Sequence, residues 1–538
     1  MAPPASKPIS AFRVLMVEDQ QQMRQIIRES LYRLGIRQVV MTAHADEALK
    51  AMRVGSFDLV LCDYNLGEGA DGQQLLEAAR GNRLVNPLAP WIYITANSLR
   101  ADVLAAGDYQ PDGYILKPFT DQLLARQIEA LAARKQQLAP LLVAMDARDW
   151  DKAIAVADEF IQRADATRGE GYKQKAAALM KLARFEDARA CYEQALTLNS
   201  ELAWAQLGQA QALRALGRAP QAEGVLQRLV QGQPDYAAAY DLLLELAEER
   251  GDAAAALALA QTLAELAPNA ERKIKLGELA QANGDAALAV RALESAVTKN
   301  RHALQRSHHE GMLLAQALID KGEVGRGVQV AQEQGRQFGD LPAARALGNA
   351  LQAQGLQQLG QADKAAELMA QAQQGGGLTD LPDAHKLLMA RSALATGHLE
   401  LGQELILAVA RNNSDQPMML AAALKSAKGT AVEEACREQV EREGKDVVEA
   451  LQQLQQAKRG GDLAQAIVVG EAALQRAPHN FSVQIELCTL YLIAMNRLGQ
   501  AEQHAGRARE LLDQLAARHP NHDRVAAARK FFRERVKA

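Results

Sequence analysis

Over the first 135 residues, apolar positions gather in short unbroken runs separated by segments whose apolar residues recur every three or four positions. "FRVLMV" (12–17), "FDLVLC" (57–62), "WIYIT" (91–95) and "GYIL" (113–116) predict buried strands of a parallel sheet. "RQVVMTA" (37–43) predicts a fifth, more exposed one. Helical periodicity fills the gaps in "QQMRQIIRESLYRLG", "ADEALKAMRVG", "DGQQLLEAARG", "SLRADVLAAG" and "TDQLLARQIEALAARK". Five alternating βα units predict a doubly wound α/β domain over residues 10–134, with reactive groups at the carboxyl ends of the strands.

Beyond "ALAARKQQLAPLL" the strand pattern stops and a longer period begins. Small residues recur at Ala153, Ala188, Ala222, Ala256, Ala289, Gly327, Ala365, Gly402, Ala435, Ala466 and Ala501. Glycines precede many of them by about five residues, at Gly217, Gly251, Gly284, Gly322, Gly360, Gly397, Gly429 and Gly461, and Pro234, Pro268 and Pro478 follow by twelve. Each unit predicts two antiparallel helices with glycine in the turn, a small residue at the contact and proline ending the second helix. One hairpin cannot bury its apolar stripe alone, so neighbours stack. "RFEDARACYEQALTLNS" and "GDLAQAIVVGEAALQRAPHN" resemble the second half of tetratricopeptide (TPR) repeats. Residues 135–538 are therefore expected to form an all-α solenoid of about ten to eleven hairpins. "QQGGGLTDLPDA" predicts an exposed loop, and "RVAAARKFFRERVKA", with Phe531 and Phe532, a helix capping the last repeat.

Composition agrees with packed helices, because aromatic residues are 4% of the chain. Net charge is −4 and evenly spread, and no basic recognition helix stands out, which argues against nucleic-acid binding. Cys62, Cys191, Cys436 and Cys488 are far apart in apolar or helical surroundings and read as small packed residues. "MAPPASKPIS" lacks the apolar core of a signal peptide, and no apolar run approaches the roughly 18 residues of a membrane span. A cytoplasmic protein without membrane contact is expected. Neither His302 nor "RSHHE" (306–310) reads as a metal site.

The strand ends carry the chemistry. The first predicted strand is followed by Glu18 and Asp19, the third by Asp63, the fourth ends at Thr95, and the fifth is followed by Lys117 and Pro118. Three carboxylates at one edge repel one another unless a cation joins them. A hard divalent ion with oxygen ligands resolves that conflict, and Mg²⁺ suits few carboxylates plus water. A lysine and a hydroxyl beside them add what a phosphoryl group requires. With no histidine base and no nucleophilic Ser or Cys among these positions, the set reads as a phosphoryl acceptor.

"LMVED", "LVLCDYNL", "YITAN" and "GYILKPF", in this order and spacing, resemble the receiver domain of two-component response regulators, a flavodoxin-like fold that includes the single-domain chemotaxis type. The resemblance implies that Asp63 is the phosphoacceptor, loaded by a histidine kinase or phosphotransfer protein. It implies that Asp19, Asp63 and the backbone carbonyl of Asn65 hold Mg²⁺, with Glu18 acting mainly through water. Thr95 and Lys117 would contact the phosphoryl oxygens, Tyr114 would be the switch aromatic, and Lys117-Pro118 is often cis in this family. The loop "NLGEGADG" departs from the family's usual "MP" step, with Gly67 and Gly69 loosening it. Asn65 and Asn97 lie where the family tunes attack by water.

Together these features lead us to expect a response regulator whose solenoid binds a protein partner when Asp63 is phosphorylated. The alternative is a constitutive scaffold whose receiver serves docking or homodimerisation. No enzymatic output is expected, since no ATP-binding loop, nucleotide cyclase or kinase histidine motif is visible.

Overall fold

A computed structural model of the chain describes residues 7–67, 70–95, 111–163, 165–300, 307–374, 378, 381–495, 501–518, 524–525, 528–529 and 532. The expected helix at 98–107, Gly69, Asn97, His302 and Phe531 lie outside them. The chain divides into two compact units, one of residues 1–246, 261–272 and 297–306, the other of residues 247–260, 273–296 and 307–538.

In the first unit, β1 (Arg13–Val17), β2 (Gln38–Thr42), β3 (Leu59–Asp63), β4 (Trp91–Thr95) and β5 (Gly113–Leu116) form one parallel sheet ordered β2-β1-β3-β4-β5. Alternation along the strands divides the core. Leu15, Val17, Val60, Cys62, Trp91 and Tyr93 pack with residues of α2 (Ala45–Val54) and α3 (Gly72–Gly81). Val14, Met16, Leu59, Leu61, Ile92, Ile94 and Ile115 pack with residues of α1 (Gln21–Arg33) and α4 (Asp121–Gln137). Both faces are covered, so the strands are continuous apolar runs. The third strand starts two residues later than its apolar run; Asp58 just before it meets Arg13 twice, its backbone N–H donating to the Arg13 carbonyl and its carboxylate accepting from the Arg13 N–H, each at 2.8 Å. It then extends through Asp63, which pairs with Ile94.

The junction with the hairpins is tied by charge. Lys135, in the last turn of α4 and 9% exposed, donates to the Pro87 carbonyl at 3.0 Å and pairs with Asp112 at 2.8 Å. Arg83 pairs with Asp146, the last residue of the next helix, Ala139–Asp146.

The hairpins follow a left-handed beat. Positive φ occurs at Arg148, Ala183, Gly217, Gly251, Gly284, Gly322, Gly360, Gly397, Gly429 and Gly461. Each reverses the chain between two helices, and the first two are not glycine. Aspartate often follows and caps the next helix: Asp149, Asp252, Asp285 and Asp462 accept from the backbone N–H three residues on. The small residues at Ala153, Ala188, Ala222, Ala256, Ala289, Ala365 and Ala466 are fully buried. Ala435 breaks the series: it is exposed, and Cys436 takes the buried place. It lies in one 28-residue helix, Glu433–Gly460, that runs through Gly444 because no proline or cap interrupts it.

In the second unit, helices His309–Lys321, Pro342–Gln358 and Asp383–Ala395 are buried on nearly every face. The first and third touch directly, with Arg391 on Asp320 at 2.5 Å. Lys425 of helix Pro417–Ala427 donates to the carbonyls of Gln281 and Ala282, at 2.6 and 2.8 Å, capping the end of helix Ala270–Asn283. Val525, Ala528 and Phe532 of the tail pack on helices Phe481–Ala494 and Ala501–Arg518, as a capping element does.

Candidate functional site

The sheet brings the sequence-selected groups to one edge. Glu18 and Asp19 follow β1, Asp63 ends β3, Thr95 ends β4 and Lys117 follows β5. Since β1, β3, β4 and β5 are consecutive and parallel, these four ends are adjacent. Carboxylate oxygens of Glu18, Asp19 and Asp63 lie within 4.8 Å of one another, as no other three ligating side chains do among the described residues. Lys117 spans two of them, with Nζ 2.8 Å from Glu18 Oε2 and 2.6 Å from Asp63 Oδ2. Asp63 Oδ1 accepts from the Asn65 backbone N–H at 3.0 Å. The Lys117-Pro118 peptide is cis.

Burial sets the charges. Glu18 is 1% exposed, and desolvation raises its pKa to about 7 against the opposing hydrogen bond from Lys117, with the Asp63 charge adding to the rise. Burial pulls the Lys117 ammonium down, but its bonds to Asp63 and Glu18 outweigh it and the net shift is upward. Asp19 Oδ1 is buried without a hydrogen-bond partner among the described residues. An orphaned carboxylate oxygen beside two further carboxylates fits a divalent cation: oxygen donors only, hard, and too acidic to share one lysine.

Tyr114 points its hydroxyl inward, where the oxygen is buried, and its ring centroid lies 5.9 Å from that of Tyr93. Tyr93 in turn meets Tyr64 edge-on at 5.7 Å and donates to the Gly72 carbonyl at 2.8 Å. Thr95 is 5% exposed, and its carbonyl accepts from the Lys117 N–H at 2.8 Å. The strand that carries the hydroxyl and the strand that carries the lysine are thus bonded at the site itself.

Three contributors are not announced by residue type. A Cβ on Gly72 would lie 2.6 Å from the Asp63 carbonyl oxygen, so only glycine lets α3 start this close to Asp63. Asp71, which caps α3 with Gln74 in a reciprocal pair, is the local signal for that start. Gly67, at φ +71°, passes so near Asp19 that a Cβ would sit 2.8 Å from Asp19 Oδ2. Arg24 donates to the carbonyls of Glu18 and Asp19 at 2.5 and 2.8 Å and fixes the bend after β1.

Residues 14–129 match the family of response regulator receiver domains. The chain is 35% identical over 125 residues to the chemotaxis protein CheY of Pseudomonas aeruginosa, covering 97% of that protein and 23% of this one. The chain belongs to the response regulator receiver family. CheY-3 of Vibrio cholerae is 33% identical over 125 residues, with 92% of that protein covered. Membership rests on the first quarter of the chain; the helical hairpins lie beyond the matched span. A tetratricopeptide repeat protein from Parabacteroides merdae, 13% identical, aligns with 47% of this chain and 95% of its own at a TM-score of 0.30, which adds nothing to the hairpin architecture already described. No described helix of this receiver protein is long and apolar enough to cross a membrane.

Proposed function

We propose that the chain is a phosphorylation-dependent cytoplasmic response regulator in which Asp63 accepts a phosphoryl group from a histidine kinase or phosphotransfer protein and the TPR-like hairpins bind a protein partner as output. The observation that supports it most is the meeting of Asp63 Oδ2 with Lys117 Nζ at 2.6 Å beside the orphaned Asp19 oxygen. An Asp63 oxygen forms the new P–O bond as the donor's P–N bond breaks and its imidazole leaves. Glu18, Asp19, Asp63 and the Asn65 carbonyl would hold Mg²⁺, which supplies charge neutralisation on the phosphoryl oxygens.

The phosphoryl group adds about two negative charges to a site that already holds three carboxylates. Lys117 meets part of that charge, since its ammonium has a third N–H beside those that bond Asp63 and Glu18. Thr95 meets another part, and Tyr114, buried against Tyr93, follows its movement as the switch aromatic. The chain's own chemistry is confined to gain and loss of this one group on its own carboxylate. Affinity capture with and without beryllium fluoride, read by mass spectrometry, tests the reading. A partner whose recovery changes with the mimic, and no longer changes in Asp63→Ala, is expected. Equal recovery in all arms would overturn the switch in favour of a constitutive scaffold.

A further inference from the structure

The second unit packs three imidazoles together where two helices a whole hairpin apart touch. His308 and His309 stand at the start of helix His309–Lys321, and His385 lies in the first turn of helix Asp383–Ala395. His309 Nδ1 is 3.0 Å from His385 Nε2, so one of them donates and the other accepts. The His308 ring lies 5.0 Å from that of His385 and 5.7 Å from that of Phe338. His385 is 4% exposed. Its Nδ1 and His308 Nε2 are buried with no hydrogen-bond partner among the described residues. The cluster is not a metal site, because three ligating atoms meet only at Glu18, Asp19 and Asp63 among the described residues.

The charges around the cluster are few. Glu278 of helix Ala270–Asn283 lies 3.1 Å from His309 Nε2. Glu310 is buried beside His308 and favours its charged form, against burial and His309. Lys386, next to His385, is held by Asp383 at 3.0 Å, and Asn412 and Asn413 take up the Asp383 oxygens. Helix Val324–Gln337 exposes Glu333 and Arg336 to solvent, and helix Pro342–Gln358 has Arg345 as its one charged residue, also exposed. The charges that act on His385 are therefore those of His309 and His308.

We propose that His308, His309 and His385 form an acid-operated latch, which holds helix His309–Lys321 against helix Asp383–Ala395 and releases the contact as His308 and His385 take up protons. Burial, then His309 and His308, push His385 down to about 3, and burial, then His309, lower His308. An exposed imidazole accepts its proton near pH 6.5. Below that pH the open form binds more protons than the closed one. Closure is thus fully stable above about pH 6.5 and weakens steadily as pH falls towards the depressed values. The latch is independent of Asp63, so failure of phosphoryl transfer leaves it untouched.

Hydrogen exchange of the full chain at pH 7.5 and 5.0, corrected for intrinsic rates, reads the opening. In wild type and in Asp63→Asn, corrected exchange in residues 309–321 and 383–395 should rise at least tenfold at pH 5.0. His385→Gln, which keeps a polar partner for His309 without titrating, should lose most of that rise, and His308→Leu supplies the same comparison if His385→Gln does not fold. Unchanged wild-type protection between the two pH values, or an undiminished rise in the folded variant, would overturn the latch.

Discussion

Lys117 Nζ bonds Asp63 Oδ2 and Glu18 Oε2 together, so one ammonium is shared between the proposed acceptor and a second carboxylate. Removing the acceptor and removing the shared cation should have different effects. With acetyl phosphate and Mg²⁺, intact mass of the wild type should increase by one phosphoryl group, and Asp63→Asn should show none. Lys117→Met should still be phosphorylated, but about 10²-fold more slowly, the usual cost of losing one donor to developing charge. Time-resolved intact mass measurement separates the two.

Glu18 should destabilise the receiver at neutral pH when no cation is present. Its pKa in the fold is raised to about 7 by burial, so the folded state prefers the protonated form. A raised carboxylate favours folding below its unfolded value, near 4.3, and that contribution is lost as pH rises through about 7. In EDTA at pH 8, Glu18→Gln should therefore stabilise the receiver by roughly 1–3 kcal/mol, and at pH 4.5 it should gain little. Exchange of the amides of β3 and β4 is the measurement. Equal stability at pH 8 would mean that Lys117 already neutralises the site.

The sequence reveals this edge because a parallel sheet buried on both faces has to be written as apolar runs, and whatever follows each run lands at the strand's carboxyl end. Asp63, Thr95 and Lys117 are legible for that reason. Gly72 and Gly67 are not, since their part is to lack a side chain where the backbone passes Asp63 and Asp19. The hairpins show the same division. Glycine marks the later turns, whereas Arg148 and Ala183 occupy the same left-handed position without announcing it. Helix Glu433–Gly460 runs on through Gly444, since a lone glycine inside a helix costs only about 1 kcal/mol. The direct contact of helix His309–Lys321 with helix Asp383–Ala395 joins two helices buried on nearly every face, and periodicity alone does not reveal which neighbour covers each face.

Ala183 and Gly217 offer a paired test of the turn rule. Ala183 sits at φ 56° and Gly217 at φ 74° in equivalent turns. A left-handed alanine costs roughly 1–2 kcal/mol, and replacing alanine by glycine loses roughly 0.4–1 kcal/mol through the unfolded chain. Ala183→Gly should therefore stabilise its hairpins by about 0.5–1 kcal/mol, and Gly217→Ala should destabilise by a similar amount. Urea unfolding monitored by far-UV circular dichroism would show midpoints moving in opposite directions. A shift of the same sign in both would refute the equivalence of the two turns.

Lys135 is a buried charge that ties the last receiver helix, α4, to Pro87 and Asp112 just where the chain enters the first hairpin helices. Burial lowers its pKa, and Asp112 opposes that shift. Asp112 in turn accepts from Arg80 and from the Trp91 backbone N–H, each at 2.8 Å, and stands just before β5, the strand that carries Tyr114. Removing one partner of a buried pair usually costs 3–5 kcal/mol because the other charge is stranded. Here Asp112 keeps two donors, so Lys135→Met should cost less, roughly 1–3 kcal/mol. The loss should appear where the strut ends: faster amide exchange in β5 and in residues 139–146, with β1 and β2 unchanged. If exchange rises in α4 alone, Lys135 stabilises its own helix and does not connect β5 to the hairpins.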